Sequence, residues 1–209
     1  MPTAPALIAW TTPCPATSLD GLLDDDDRSH LATLREQAAR DRSATGRALL
    51  RLLLARHLGA PPADVLITRA CPDCPRPHGQ PRTAGLHLSS ASTGGRVLVG
   101  LSASPVGVDV ERRDAADFPG FDGIALTDAE QRSAAGRAEL WAGKEALLKR
   151  DGVGLRRDPR SVETAGAELQ ALDLGPDYVA VVATDRPVHV IDATGLVRAW
   201  AASSRRARA

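Results

Sequence analysis

The order of secondary-structure signals constrains this chain most: helical periodicity gives way to strand-like runs, and the same succession then begins again. Residues 20–27 are strongly acidic, which favours a helix N-terminus, and Leu31, Leu34 and Ala38 follow at helical spacing. A second helix is expected over about 42–57. Leu49, Leu50, Leu53, Leu54 and Leu58 line one side of it, and Gly59 with Pro61-Pro62 ends it. Residues 65–68 form a short strand candidate, and 71–81, rich in proline, read as loop. Three strands are expected over 86–89, 97–101 and 106–111, split by Gly94-Gly95 and Ser104-Pro105. After an irregular stretch to Ala125, Thr127-Asp128-Ala129-Glu130 has capping-box spacing. A longer helix is expected over 137–150, closed by Gly152 and Gly154. Strand candidates return around Val162 and at 168–172, 178–184, 188–191 and 196–200, and residues 203–209 read as a frayed end.

Helices followed by strands, twice, divide the chain into lobes of about 1–104 and 105–209, although no internal repeat is visible. A chain of 209 residues can bury a core without covalent staples. Phenylalanine and tyrosine are scarce, so that core must be built mainly from Leu, Val, Ala and Ile. The 26 basic and 26 acidic residues balance, which argues against a general nucleic-acid or membrane surface. No apolar run approaches a membrane span. The opening Met1-Pro2-Thr3-Ala4-Pro5 lacks a basic segment followed by an apolar one, so a cytoplasmic protein is expected. Three cysteines are too few for a disulfide framework.

Two places carry chemistry. Only two lysines stand among the 26 basic residues, Lys144 and Lys149, and they flank Glu145 in Trp141-Ala142-Gly143-Lys144-Glu145-Ala146-Leu147-Leu148-Lys149. An ammonium is a compact point charge that exchanges its proton far more readily than a guanidinium, so their clustering points to chemistry that wants lysine. The plain alternative is an ordinary Glu-to-Lys helix pair worth about 0.3–0.5 kcal/mol. The second place is Val106-Gly107-Val108-Asp109-Val110-Glu111. Side chains two apart on a strand share a face, so Asp109 and Glu111 stand side by side while Val108 and Val110 point into the core. Two such carboxylates repel unless a proton or a cation relieves them, and magnesium is a suitable hard ion. A strand that merely turns polar toward solvent is the competing reading.

These two motifs, about 30 residues apart, resemble those of the 4′-phosphopantetheinyl transferases, in particular the two-lobed, surfactin-synthetase-activating type with the Trp/Lys-Glu-Ala signature. Arg42-Ser43-Ala44-Thr45-Gly46-Arg47 is similar to that family's N-terminal helix, and Gly152-Val153-Gly154-Leu155 to the segment after its lysine helix. The resemblance implies an α+β fold, a pseudo-twofold pair of lobes, each a small, mostly antiparallel sheet packed on helices, with the active site between them. It implies transfer of phosphopantetheine from coenzyme A to a serine of an acyl or peptidyl carrier protein, with adenosine 3′,5′-bisphosphate leaving. Asp109, Glu111 and Glu145 would hold magnesium, with manganese as an alternative. Glu145 would take the serine proton, directly or through water. Lys149 would stabilise or protonate the leaving phosphate, with Lys144 adding charge. Arg42, Gly79, Gln80, Pro81, Ser89 and Ser90 would bind the nucleotide end of coenzyme A. Gln80 stands where the family usually has lysine, and Ser90 where it has histidine; Arg82 is placed to compensate for the first.

The implied partners are carrier domains of polyketide or nonribosomal peptide pathways. They would dock near residues 118–127, steered by Arg112, Arg113 and Arg132. A two-lobed chain can form its site between its own lobes, so a monomer is expected. A degenerate, non-catalytic binder of carrier or nucleotide is the second reading. Cys71-Pro72-Asp73-Cys74 with His78 has zinc half-site spacing. A structural zinc wants four ligands and only three candidates lie nearby, so a proline-stiffened loop is expected, with a zinc-stabilised module as the third reading. His30, His57, His87 and His189 have no constellation around them in the sequence.

Overall fold

Two sheets lie between helices in the computed structural model, which describes residues 4–206, so the last three residues expected to fray lie outside the described residues. The first half supplies β1 (Ala6–Thr11), α1 (Asp25–Thr33), α2 (Gln37–Leu58), β2 (Arg82–Thr83), β3 (Leu86–Thr93) and β4 (Arg96–Ser102). The second supplies β5 (Gly107–Arg112), α3 (Phe121–Ala125), α4 (Asp128–Gln131), α5 (Arg137–Arg150), β6 (Leu169–Leu172), β7 (Tyr178–Ala183), β8 (Val188–Asp192) and α6 (Thr194–Arg206). The strand order is β2-β3-β4-β1-β8 in one sheet and β5-β7-β6 in the other. The three-stranded sheet is antiparallel, and the five-stranded one is mixed because β8 runs parallel to β1. The fold class is therefore α+β.

Alternating side chains explain the layering. One face of the larger sheet, with Ala9, Val99 and Leu101, packs on α2 and α6 through Leu49, Leu50, Leu53, Val197 and Ala201. Its other face, with Ile8 and Leu98, meets Val108, Val110, Ala180 and Val182 of the smaller sheet, with Val106 just before β5. The outer face of that smaller sheet, with Val179, Val181 and Ala183, is covered by Ala138, Ala142 and Ala146 of α5.

The N-terminal helices form as the acidic run implies, with a break. Asp24 caps α1, accepting from Asp27 N–H at 2.8 Å while Asp27 reaches back to Asp24 N–H. The helix stops at Thr33, and Leu34 is extended. α2 then starts at Gln37, earlier than expected, and ends at Gly59 in the left-handed conformation, φ 63°. It is buried all round over residues 44–55, Arg47 and Arg51 included. Those guanidiniums are tolerated because Asp27 pairs with Arg47, and Asp24 with Arg51 at 2.6 Å. Leu58, expected on the apolar side, is 54% exposed.

Several elements depart from expectation. β1 pairs with both β4 and β8 and carries no counterpart in the sequence reading. Residues 65–68 contribute only a bridge, Thr68 to Arg82. Val162 follows a short turn, Pro159–Ser161, and joins no strand. Residues 196–200 lie in α6, where Val197 and Ala201, with Ala193 just before the helix, recur every four residues and are buried together. Strand β8 and α6 also return to the first sheet and its helices, whereas a division at 104/105 places them with the second. Among the described residues, no helix is long and apolar enough to cross a membrane.

Helix α5 lies directly on the backbone of β5. A Cβ at Gly107 would sit 1.8 Å from Ala146 O and 2.5 Å from Arg150 N. Gly107→Ala should therefore push helix and strand apart and cost about 3 kcal/mol or more in denaturant unfolding. Gly123→Ala, which meets nothing within 4 Å, should change stability by less than about 0.5 kcal/mol.

Candidate active site

The close packing at Gly107 decides which side chains meet. β5 turns Val108 and Val110 inward, and Asp109 and Glu111 toward α5. On α5, Glu145 and Lys149 are one turn apart and share a face. Lys149 Nζ lies 2.5 Å from Asp109 Oδ1 and 3.7 Å from Glu145 Oε2. The strand carboxylate and the helix carboxylate thus converge on one ammonium, Asp109 from 40 residues away in the chain.

The electrostatics leave this group short of positive charge. Burial pushes the Asp109 carboxyl upward against the pull of Lys149. Burial likewise raises Glu145, with Asp109 adding to it. Glu111 goes up to about 7, first through burial and then through the Asp109 charge, with Glu145 adding and Lys149 opposing. Lys149 is raised: burial works against its charge, but Asp109, then Glu145 and Glu111, outweigh it. One side-chain oxygen on each of two acids, Asp109 Oδ2 and Glu145 Oε1, is buried with no hydrogen-bond partner. Three carboxylates facing one ammonium, with orphaned oxygens, form a set that suits a divalent cation. The three do not themselves bring ligand atoms within 4.8 Å of one another.

Lys149 also borders a cleft of about 1180 Å³ walled by α2, the 69–82 segment, β3 and the residues that follow α5. Its lining includes every residue expected to bind the nucleotide end: Arg42, Gly79, Gln80, Pro81, Ser89 and Ser90. Ser89 is buried and its Oγ accepts the Val108 N–H at 3.0 Å, which ties β3 to β5. Gln80 donates to Lys149 O at 2.8 Å and to Leu88 O at 3.3 Å. Gly79 is required because a Cβ there would lie 2.1 Å from Ala70 O.

The cleft contains residues that spacing did not reveal. Arg47, Arg69 and His30 line it beside Arg42. Burial and then Arg47 pull the Arg69 guanidinium down to about 10. Burial, with Arg47 and Arg69, lowers His30 to about 4, so that imidazole is neutral at pH 7. His30 is therefore neither an isolated surface nor a core residue. Its only sequence signal is position, in the helix whose acidic start neutralises Arg47 and Arg51.

Lys144 is the correction. It is fully buried on another side of α5, donating to Pro159 O at 2.8 Å and Val162 O at 2.6 Å and pairing with Glu130 at 2.7 Å. Helical geometry explains this: five residues turn a side chain about 140° away from Lys149. Lys144 clamps α4 and the 159–162 turn onto α5 and does not reach the carboxylates. In the expected docking region, Phe118 and Ile124 are exposed. Phe121 packs edge-on to Phe118 and Trp141, at 5.4 and 5.9 Å. Arg112 and Arg113 are already paired with Asp114 and Glu139.

Residues 105–202 match the family model of the 4′-phosphopantetheinyl transferase superfamily. The matched segment holds Asp109, Glu111, Glu145 and Lys149, whereas the arginine wall of the cleft precedes it. No curated protein sequence matches the chain.

Two outcomes follow from this geometry. Lys144→Ala leaves Glu130 buried without its cation and should cost about 3–5 kcal/mol in chemical unfolding. In metal-free protein, the folded chain binds the Glu111 proton more tightly than the unfolded chain. Stability should therefore fall as pH rises from 4.5 to about 7. Denaturation in the presence of a chelator across that range should show a shallower fall for Glu111→Gln.

Proposed function

We propose that the chain transfers the 4′-phosphopantetheine arm of coenzyme A to a carrier-protein serine. The observation that carries this reading is the position of Lys149. It closes the arginine-lined cleft on one side and pairs with Asp109 and Glu145 on the other. A polyphosphate held among Arg42, Arg47 and Arg69 would present its pyrophosphate to that ammonium. The match of residues 105–202 to the superfamily supports the same reaction.

In the transfer, the serine oxygen forms a bond to the β-phosphorus of coenzyme A. The bond from that phosphorus to the bridging oxygen breaks, and adenosine 3′,5′-bisphosphate leaves with the bridging oxygen. Glu145, whose carboxyl is held above its ordinary value, takes the serine proton. Lys149 stays charged because three carboxylates surround it, and it donates to the oxygen on which negative charge grows. Asp109 fixes the Lys149 ammonium in place at 2.5 Å. The orphaned oxygens of Asp109 and Glu145 fit a hard cation, and these two with Glu111 would hold magnesium. When bound, that ion supplies charge neutralisation for the pyrophosphate. Nonpolar docking of a carrier would use Phe118 and Ile124, next to the aromatic group on α5.

A non-catalytic binder of the same fold is favoured by one observation: Gln80 stands where the family usually has lysine, and its amide is engaged by backbone carbonyls. Incubation with coenzyme A, magnesium and an apo-carrier, followed by mass spectrometry of the carrier, separates the two. A mass gain of one phosphopantetheine arm is expected. No gain on any of several carriers, with coenzyme A still bound in calorimetry, would establish the binder. Lys149→Arg should lower the transfer rate by about 100-fold or more with the fold intact, since the planar guanidinium cannot reproduce the ammonium's position or proton exchange. Undiminished transfer in that variant would remove the role assigned to Lys149.

A further inference from the structure

We propose that Cys71, Cys74 and His78 bind a zinc ion that closes the tip of the 71–78 loop beside the cleft. Among the described residues, this is the one group of three metal-ligating side chains whose ligand atoms all lie within 4.8 Å of one another. The residues have no part in the transfer described above. Both cysteines are free thiols. Cys74 Sγ lies 3.0 Å from His78 Nε2.

The spacing is compatible with tetrahedral zinc. With bonds of about 2.3 Å to sulfur and 2.1 Å to nitrogen, ligand atoms sit about 3.6–3.8 Å apart. Entry of the ion therefore needs the Cys74–His78 pair to open by about half an ångström, a side-chain movement. The Asp73 N–H lies 3.4 Å from Cys71 Sγ and donates to it, an outer contact of the kind that orients metal-bound sulfur. Two sulfurs and one imidazole form a soft set that suits zinc and not the hard cation of the carboxylate group. Three protein ligands leave a fourth position, which water can fill.

The loop is shaped to hold such an ion and has little else to hold it. It closes at its neck, where Gly79 N–H donates to Arg69 O at 2.9 Å and Thr68 pairs with Arg82. Within the tip, Pro72, Pro75 and Pro77 have no N–H to donate. All three ligands therefore come from one local, closed stretch. The loop also runs straight into Gly79-Gln80-Pro81, and Cys71, Asp73 and His78 line the cleft themselves. Zinc at the tip would set the position of that wall.

Metal content, and not transfer activity, tests the proposal, so its failure is distinguishable from failure of the proposed reaction. The full chain, purified under reducing conditions without added chelator, should carry one zinc per molecule by elemental analysis. Cobalt titrated into stripped protein should give a thiolate-to-metal charge-transfer band with tetrahedral ligand-field bands. Cys71→Ser and Cys74→Ser should each weaken zinc binding by at least about 100-fold, since loss of an outer contact alone costs about 10–100-fold. His189→Ala, an exposed histidine on β8, should leave binding unchanged. Stripping the metal should speed cleavage within residues 71–78 by a nonspecific protease. Reduced protein without zinc and without the cobalt bands would overturn the proposal. So would a Cys71–Cys74 disulfide in the purified chain, or serine variants that hold zinc as tightly as the unsubstituted protein.

Discussion

The absence of a side chain at Gly107 is the constraint on which the site depends. With backbone atoms of Ala146 and Arg150 standing where a Cβ would be, α5 can lie against β5 at contact distance. That approach carries Glu145 and Lys149 over the strand face that bears Asp109. Had the strand begun with alanine, the helix would stand off by more than an ångström, and a 2.5 Å pair between Lys149 and Asp109 would become a water-bridged one. The same helix buries Ala138, Ala142 and Ala146 against the sheet, so small residues govern both the core and the site. The chain's scarcity of aromatic residues is consistent with this: layers built from Ala and Val pack at short distances.

Electrostatics divide the molecule in a second way. The N-terminal half gathers arginines around the cleft and balances the innermost of them with Asp24 and Asp27. The C-terminal half gathers carboxylates and balances them with one lysine. Lys149 stands where these two regions meet, which makes an anion entering the cleft continuous with the acidic group beyond. Burying arginines costs less when paired acids accompany them. Arg69, whose nearest acid is Asp27 at 3.8 Å, is only loosely paired and has its proton affinity lowered. A bound phosphate would restore the balance that the fold leaves incomplete there.

How much of this was legible in the sequence depends on range. α5 matched its expected limits, 137–150, because glycines at 136 and 152 bracket it, a signal that needs only local sequence. The Thr127 capping box formed for the same reason. The Asp-x-Glu alternation on β5 was legible because period two needs only neighbouring residues. By contrast β1 pairs with β4 and β8 across nearly the full chain, and no local signal marks a strand at 6–11. Residues 196–200 offered β-prone side chains, but burial of Val197 with Ala201 selected the helical period. In the site, Glu145 and Lys149 were legible because lysine is so rare in this chain. Lys144 shared that signal, yet its helical angle turned it toward Glu130. His30 and Arg69 were hidden because their role arises only from tertiary proximity to Arg47.

Gln80 shows how one polar side chain can shape the cleft. A lysine at this position would bring charge to a bound phosphate; the glutamine instead donates to carbonyls of Lys149 and Leu88. One amide thereby holds the end of α5 to β3, across the cleft that an anionic substrate would occupy. Charge is not lost from the cleft as a whole, because Arg47, Arg69 and Arg82 line it as well. Gln80 thus forms a fixed tie between the halves. A tie of this kind holds β3 and the end of α5 together, so a ligand in the cleft would have less to order on binding. On this view the shape of the cleft rests on backbone-directed hydrogen bonds from Gln80 and Ser89. Its charge is supplied by arginines elsewhere on the wall.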